Sequence, residues 1–162
     1  MRKLIIIFVS VLISVLFIGF RSSAISAAPK VVMFGYNSPL SGPAAPWGVT
    51  IGRSIEASIN VINESGGFTV GGEKYVWKII SADHGYVPST AVTNTRKMIQ
   101  DGIKYMGTLG GSCAAAMAPI SEAAGVLSLN MAGAGSALTK PEYKFTFRYN
   151  WDLPIIWGGF YK

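Results

Sequence analysis

The sequence predicts an α/β fold, a Rossmann-like parallel sheet with helices on both faces. Three observations predict it. Short runs rich in β-branched and aromatic residues alternate with stretches of helical spacing. Each run ends in a loop of small residues, and the 162 residues suffice for one domain of ordinary size. Single helices between such strands impose right-handed crossovers, which make neighbouring strands parallel.

The chain opens with Arg2-Lys3, an uncharged apolar run over residues 4–20, and the small residues Ser22-Ser23-Ala24 and Ala27-Ala28. These are the three parts of a secretory signal, so residues 1–27 are expected to be a signal peptide cleaved after Ala27, with Ala24 the alternative. The mature chain is then exported, periplasmic or extracellular, and soluble. Retained instead, the same run would be an N-terminal membrane anchor. No cysteine lies near the cleavage region to carry a lipid. Cys113, the sole cysteine, leaves no intramolecular disulfide.

Lys30–Tyr36 reads as the first strand, followed by a turn-rich loop over residues 37–43. Between Gly48 and Ser65, Ile51, Ile55, Ile59 and Ile62 fall at helical spacing, and Gly66-Gly67 stops the helix. Tyr75–Ala82 is the second strand, with Asp83-His84-Gly85 as its loop. Pro88-Ser89 opens a helix with Ala91, Val92, Thr95, Met98 and Ile99 on one side, closed by Gly102. Ile103–Gly107 is a third strand, and Gly110-Gly111-Ser112 leads into an alanine-rich helix that ends near Gly125. Val126–Leu129 and Phe145–Arg148 complete the strands; Asp152 or Pro154 begins another helix.

Half of the residues are hydrophobic and 14% are charged, which excludes a mostly disordered chain. The net charge is +6, but Arg2, Lys3 and Arg21 supply three of the 14 basic residues. Beyond the leader, 11 basic residues face 8 acidic ones, with no basic cluster beyond Arg96-Lys97. A nucleic-acid partner is therefore not expected.

In parallel sheets, ligands bind beyond the carboxyl ends of the strands, where the strand order reverses. The informative residues fall in those loops: Ser41, Gly42 and Trp47, then Asp83-His84, Gly110–Ser112, and residues 130–135. Small residues there let backbone N–H groups approach a polar ligand such as a carboxylate. The same glycines also serve plain tight turns.

Other constellations carry less. Gly110-Gly-Ser-Cys-Ala114 approaches a nucleophile elbow, but its last glycine is alanine, and the one histidine, His84, precedes the serine. Hydrolysis is not expected, and no catalytic residue is assigned. Cys113 reads as a small buried residue at a helix start. One histidine and one cysteine without close spacing make no metal site. Gly133-Ala-Gly135 lacks the third glycine and the acidic residue of a dinucleotide fingerprint, so no cofactor is expected.

Pro39-Leu-Ser-Gly-Pro43, then Trp47-Gly48, then Ile62-Asn-Glu-Ser-Gly-Gly67, resemble the opening of the type I periplasmic solute-binding proteins, in the branched-chain amino-acid-binding class that serves ABC importers. Asp101-Gly-Ile-Lys-Tyr105 before Gly107-Thr-Leu-Gly-Gly-Ser112, and Ala118–Val126, agree in order and spacing. The similarity runs from Val31 to Asp152.

This resemblance implies one lobe of a two-lobe binding fold, with solute trapped between lobes. Residues 28–152 are then the N-terminal lobe, and 153–162 start a truncated helix or crossover; the C-terminal lobe is missing. The implied partners are a small-molecule solute, such as an amino acid, amide or small carboxylate, and an ABC permease in the membrane.

The resemblance also implies a site. Trp47 stands where an aromatic residue covers the solute; the alternative is an aromatic packed over the first helix. Gly111 falls where a serine hydroxyl holds the solute carboxylate. Ser112 substitutes for it or caps the helix. Ala132 fits a carbonyl receiving an ammonium group, and Ala134 stands where a threonine does so. Ser41 accompanies them in the first loop. Two alternatives keep the fold: a membrane-anchored ligand-sensing domain, and a non-functional remnant of a longer chain.

Overall fold

The computed structural model describes residues 28–131 and 138–150. The signal-peptide and terminal-crossover assignments lie outside the described residues, as do Ala132 and Ala134.

Strand β1 spans Lys30–Ser38, helix α1 Ala45–Glu64, β2 Phe68–Val70 and β3 Glu73–Asp83. Helix α2 follows at Pro88–Gln100, β4 at Tyr105–Leu109, α3 at Gly111–Ala123, β5 at Leu127–Met131 and β6 at Thr146–Arg148. The six strands form one sheet in the order β2-β3-β1-β4-β5-β6. β1 pairs in parallel with β3 on one side and β4 on the other, and β5 and β6 continue the parallel run. The expected helices on both faces are present. α1 covers the face bearing Phe34 and Trp77, while α2 and α3 pack on the opposite face, where Gly35 and Met106 point.

One strand departs from the all-parallel expectation. β2 pairs antiparallel with β3 through a two-residue turn, Gly71-Gly72, in which both glycines have positive φ. That is the turn type whose twist matches a hairpin. Phe68 of β2 stacks on Tyr75 and Trp77, with ring centroids 5.6 and 5.2 Å away.

Beyond this short edge strand, the β3 backbone would be left open. Asn63, near the end of α1, closes it. Its Oδ1 accepts the Trp77 N–H at 2.9 Å and its Nδ2 donates to the Trp77 carbonyl at 2.8 Å. One amide thus replaces a missing strand partner and fastens α1 to the sheet. Asn63→Ala is expected to cost ~1–3 kcal/mol by stranding both backbone groups, measured by urea unfolding with an unchanged m-value.

The main core lies between the sheet and the α2–α3 layer. Ala91, Met98, Ile103, Met106, Cys113, Met117 and Val126 are buried there together. Asn37 is buried among them and is satisfied: its Nδ2 donates to the Ala91 carbonyl at 2.8 Å and to Thr95 at 3.2 Å. Pro119 falls well inside α3 rather than in its first turns, so it removes a helical hydrogen bond there.

Candidate functional site

The order of the strands places a switch point at β1 and β4. After β1 the chain leaves toward α1 on one face, and after the neighbouring β4 it leaves toward α3 on the other. Adjacent connections that diverge in this way open a crevice at the carboxyl edge of the sheet. Three connections meet at that edge, following β1, β3 and β4.

Asp83, the last residue of β3, ties two of them together. Its Oδ1 accepts the Leu40 N–H and the Gly85 N–H, each at 2.8 Å. A hydrogen bond from the Ser41 side chain, followed by that from Gly85, holds the carboxyl down to about 2. Ser41 therefore lies beside the Asp83 carboxyl at this edge.

His84, which the sequence places in the loop after β3, is buried to 1% exposure. Its backbone N–H donates to the Ser38 carbonyl at 3.2 Å. Nδ1 accepts the Tyr86 N–H at 3.0 Å, which leaves the ring proton on Nε2, 3.4 Å from the Thr108 hydroxyl. Burial pushes the imidazole below its ordinary pKa and favours this neutral form. The Ser38 hydroxyl in turn accepts the Leu109 N–H at 3.0 Å. The ends of β1, β3 and β4 are thereby locked in register.

Trp47 sits in the first turn of α1 with 71% of its surface exposed, so the alternative in which it packs over the helix does not hold. Gly48 fixes where this first turn begins. A Cβ at that position would lie 1.9 Å from the Pro39 carbonyl oxygen, so only glycine lets α1 start directly against the loop. The buried Tyr36 hydroxyl donates to the Gly48 carbonyl at 2.7 Å and fixes the same turn.

β4 passes into α3 through Gly110, whose φ of 112° is open to glycine alone. Gly110 is the N-cap and no side chain caps this helix. Ser112 is thus not the cap that its position suggests. It is exposed within the first turn, beside Gly111. The N–H groups that precede the Ala114–Gly110 bond at the start of α3 have no intrahelical acceptor, the arrangement that an anion can use. Cys113 is fully buried and burial pushes its thiol pKa up, which removes the character of a nucleophile.

Of the residues expected at the site, Ser41, Trp47, Gly111 and Ser112 lie on connections leaving one edge. Ala132 and Ala134 lie outside the described residues; the strand before them, β5, ends beside β4 with Leu109 opposite Met131. Sequence reasoning missed Tyr86, in the β3–α2 connection, and the signal was its place between Gly85 and Pro88. Among the described residues, no cluster of three or more metal-ligating side chains occurs, and no helix is long and apolar enough to cross a membrane.

A cavity of about 550 Å³ lies away from this edge, between α1 and the sheet. Phe34, Ile55, Ile59, Trp77, Leu127 and Leu129 line it. Among the described residues, one helix covers this face and two cover the other.

Comparison with known proteins agrees with this architecture. Residues 31–155 match the family model described as periplasmic binding protein. The chain is 31% identical over 132 residues to the Leu/Ile/Val-binding protein homolog 3 of Brucella melitensis, covering 81% of this chain and 34% of that protein. It is 30% identical over 134 residues to the Leu/Ile/Val-binding protein of Escherichia coli K12, with the same coverage. A possible leucine/isoleucine/valine-binding protein from Rhodopirellula baltica superposes with a TM-score of 0.64 at 25% identity, covering 76% of this chain and 33% of that one. The chain therefore spans about a third of the length of the relatives it matches.

Proposed function

This chain belongs to the periplasmic binding protein family, and from that premise we propose that it is the solute-gripping N-terminal lobe of an exported ABC-importer receptor. Its activity is binding rather than catalysis. The solute is a small molecule bearing a carboxylate, an amino acid or a simple organic acid, delivered to a membrane permease. The observation that supports this reading best is that the connections after β1 and β4 leave one sheet edge toward opposite faces, the first leading to α1 with its exposed Trp47 and the second to the uncapped start of α3.

In this reading the carboxylate lies on the first N–H groups of α3 and the Ser112 hydroxyl, since Gly111 offers no side chain. Trp47 covers the body of the solute. Ala132 and Ala134, which follow β5 in the sequence, are assigned to the same site, Ala132 through its carbonyl. Relatives carry Leu/Ile/Val in their names. The missing hydroxyls at positions 111 and 134 favour a solute recognised through its carboxylate more than through an α-ammonium.

The chain spans about a third of the length of its relatives, and a lobe measured by itself grips a solute from one side and leaves the other open to water. Calorimetry of the purified mature chain against a panel of amino acids and small carboxylates is expected to give affinities no tighter than roughly millimolar, about −4 kcal/mol. Trp47→Ala should weaken the best of them about tenfold. Micromolar affinity would overturn the half-site reading, and binding indifferent to both Trp47→Ala and Ser112→Ala would remove the site assignment.

A further inference from the structure

Tyr86 is the only non-glycine residue with positive φ among the described residues, at 65°, and it follows Gly85 in the same connection. Glycine would satisfy that backbone without strain, so the turn itself does not require a tyrosine. The ring is not a core residue either, with 45% of its surface exposed. It is nevertheless firmly placed. Its N–H is held by the buried His84 ring, which it meets edge-on at 6.4 Å between centroids. Its own ring rests on Gly110, where a Cβ would come within 3.1 Å of Cε2 and 3.2 Å of Cζ.

Gly110 immediately precedes the uncapped first turn of α3. The ring therefore forms a fixed aromatic wall next to the backbone groups assigned above to the solute carboxylate. We propose that Tyr86 is a specificity-determining residue, packing against the apolar body of a carboxylate solute and favouring planar or aromatic acids over small polar ones. This rests on the reading of the crevice as the solute site. The preference follows from geometry: a carboxylate at the start of α3 projects its substituent past Gly110, where a flat ring meets it face-on or edge-on.

The test uses two probes on the purified mature chain, acetate and benzoate, followed by NMR titration of the backbone amides of residues 110–113. The native chain is expected to bind benzoate more tightly than acetate. Tyr86→Ala should weaken benzoate about tenfold and leave acetate within twofold, and Tyr86→Phe should retain benzoate binding. Tyr86→Gly, which removes the ring and relieves the positive φ together, guards against a folding defect and should reproduce the alanine result with an undiminished melting temperature. Equal losses for both probes would show a merely structural ring and overturn the proposal, as would no change for either. If the native chain binds neither probe, the carboxylate reading of the crevice fails and this inference with it. If both probes bind but ignore Tyr86, the inference alone fails.

Discussion

Gly48→Ala is expected to destabilise the domain by about 3 kcal/mol or more, because the added methyl meets backbone that cannot swing aside. Its Cβ would sit 1.9 Å from the Pro39 oxygen and 2.8 Å from the Pro39 carbonyl carbon. Ordinary contact requires about 3.5 Å between heavy atoms, so the start of α1 and the loop after β1 must separate by well over an ångström. That movement pulls the Gly48 carbonyl off the buried Tyr36 hydroxyl, leaving a polar group unpaired in the interior. It also carries Trp47, the neighbouring residue, away from the crevice. Urea unfolding should show a lower midpoint with a similar slope, and any residual solute binding should be lost with it. A change within 0.5 kcal/mol would mean that the two segments do not touch.

His84→Ala ranks next, at about 2–4 kcal/mol, as a buried ring deletion that also strands polar partners. The Tyr86 N–H loses its acceptor and the Thr108 hydroxyl its neighbour. The same residue gives the native chain a pH signature. Burial lowers the imidazole pKa in the folded state, while the unfolded chain keeps the ordinary value near 6.5. Below that value the unfolded state binds the proton more readily, so stability falls as pH drops from about 6.5 toward the depressed folded pKa, and is fully present above it. The negative Asp83 beside it opposes the shift without reversing it. Melting temperatures measured between pH 8 and 5 should decline in the native chain over that window, and the decline should flatten in His84→Gln. The carboxyl of Asp83 acts in a separate, more acidic window: its stabilisation is present above about 3.8 and lost as pH falls toward about 2.

The alternation of strands and helices was readable because each element repeats a period that burial enforces. Ile51, Ile55 and Ile59 face one side of α1 because the sheet lies there, and the Gly66-Gly67 stop coincides with the end of the helix at Glu64. Boundaries moved where tertiary contacts overrule local preference. Asn37 and Ser38 look like turn residues, yet both belong to β1, because Asn37 bonds into α2 and Ser38 accepts from the end of β4. Ile103 reads as the start of a strand, yet it is the buried residue that closes the end of α2, with its N–H on the Met98 carbonyl; the strand proper starts at Tyr105. The Phe68–Val70 hairpin was hidden because Gly71-Gly72 follows so closely on Gly66-Gly67 that the whole stretch resembles one loop.

The candidate site was legible in part. Trp47 and the glycines of residues 110–111 are marked out by residue type and by position after a strand. The bond from Ser41 to Asp83, the burial of His84 and the placement of Tyr86 depend on three connections meeting in space, which no local pattern records.

The Gly71-Gly72 turn precedes β3, whereas Asp83 ends it, so the two lie a full strand apart at opposite margins of the sheet. An affinity handle or fluorophore grafted between Gly71 and Gly72 would sit far from the Trp47 rim. Such a graft would let the chain be immobilised or tracked with the edge that carries Trp47 left unobstructed.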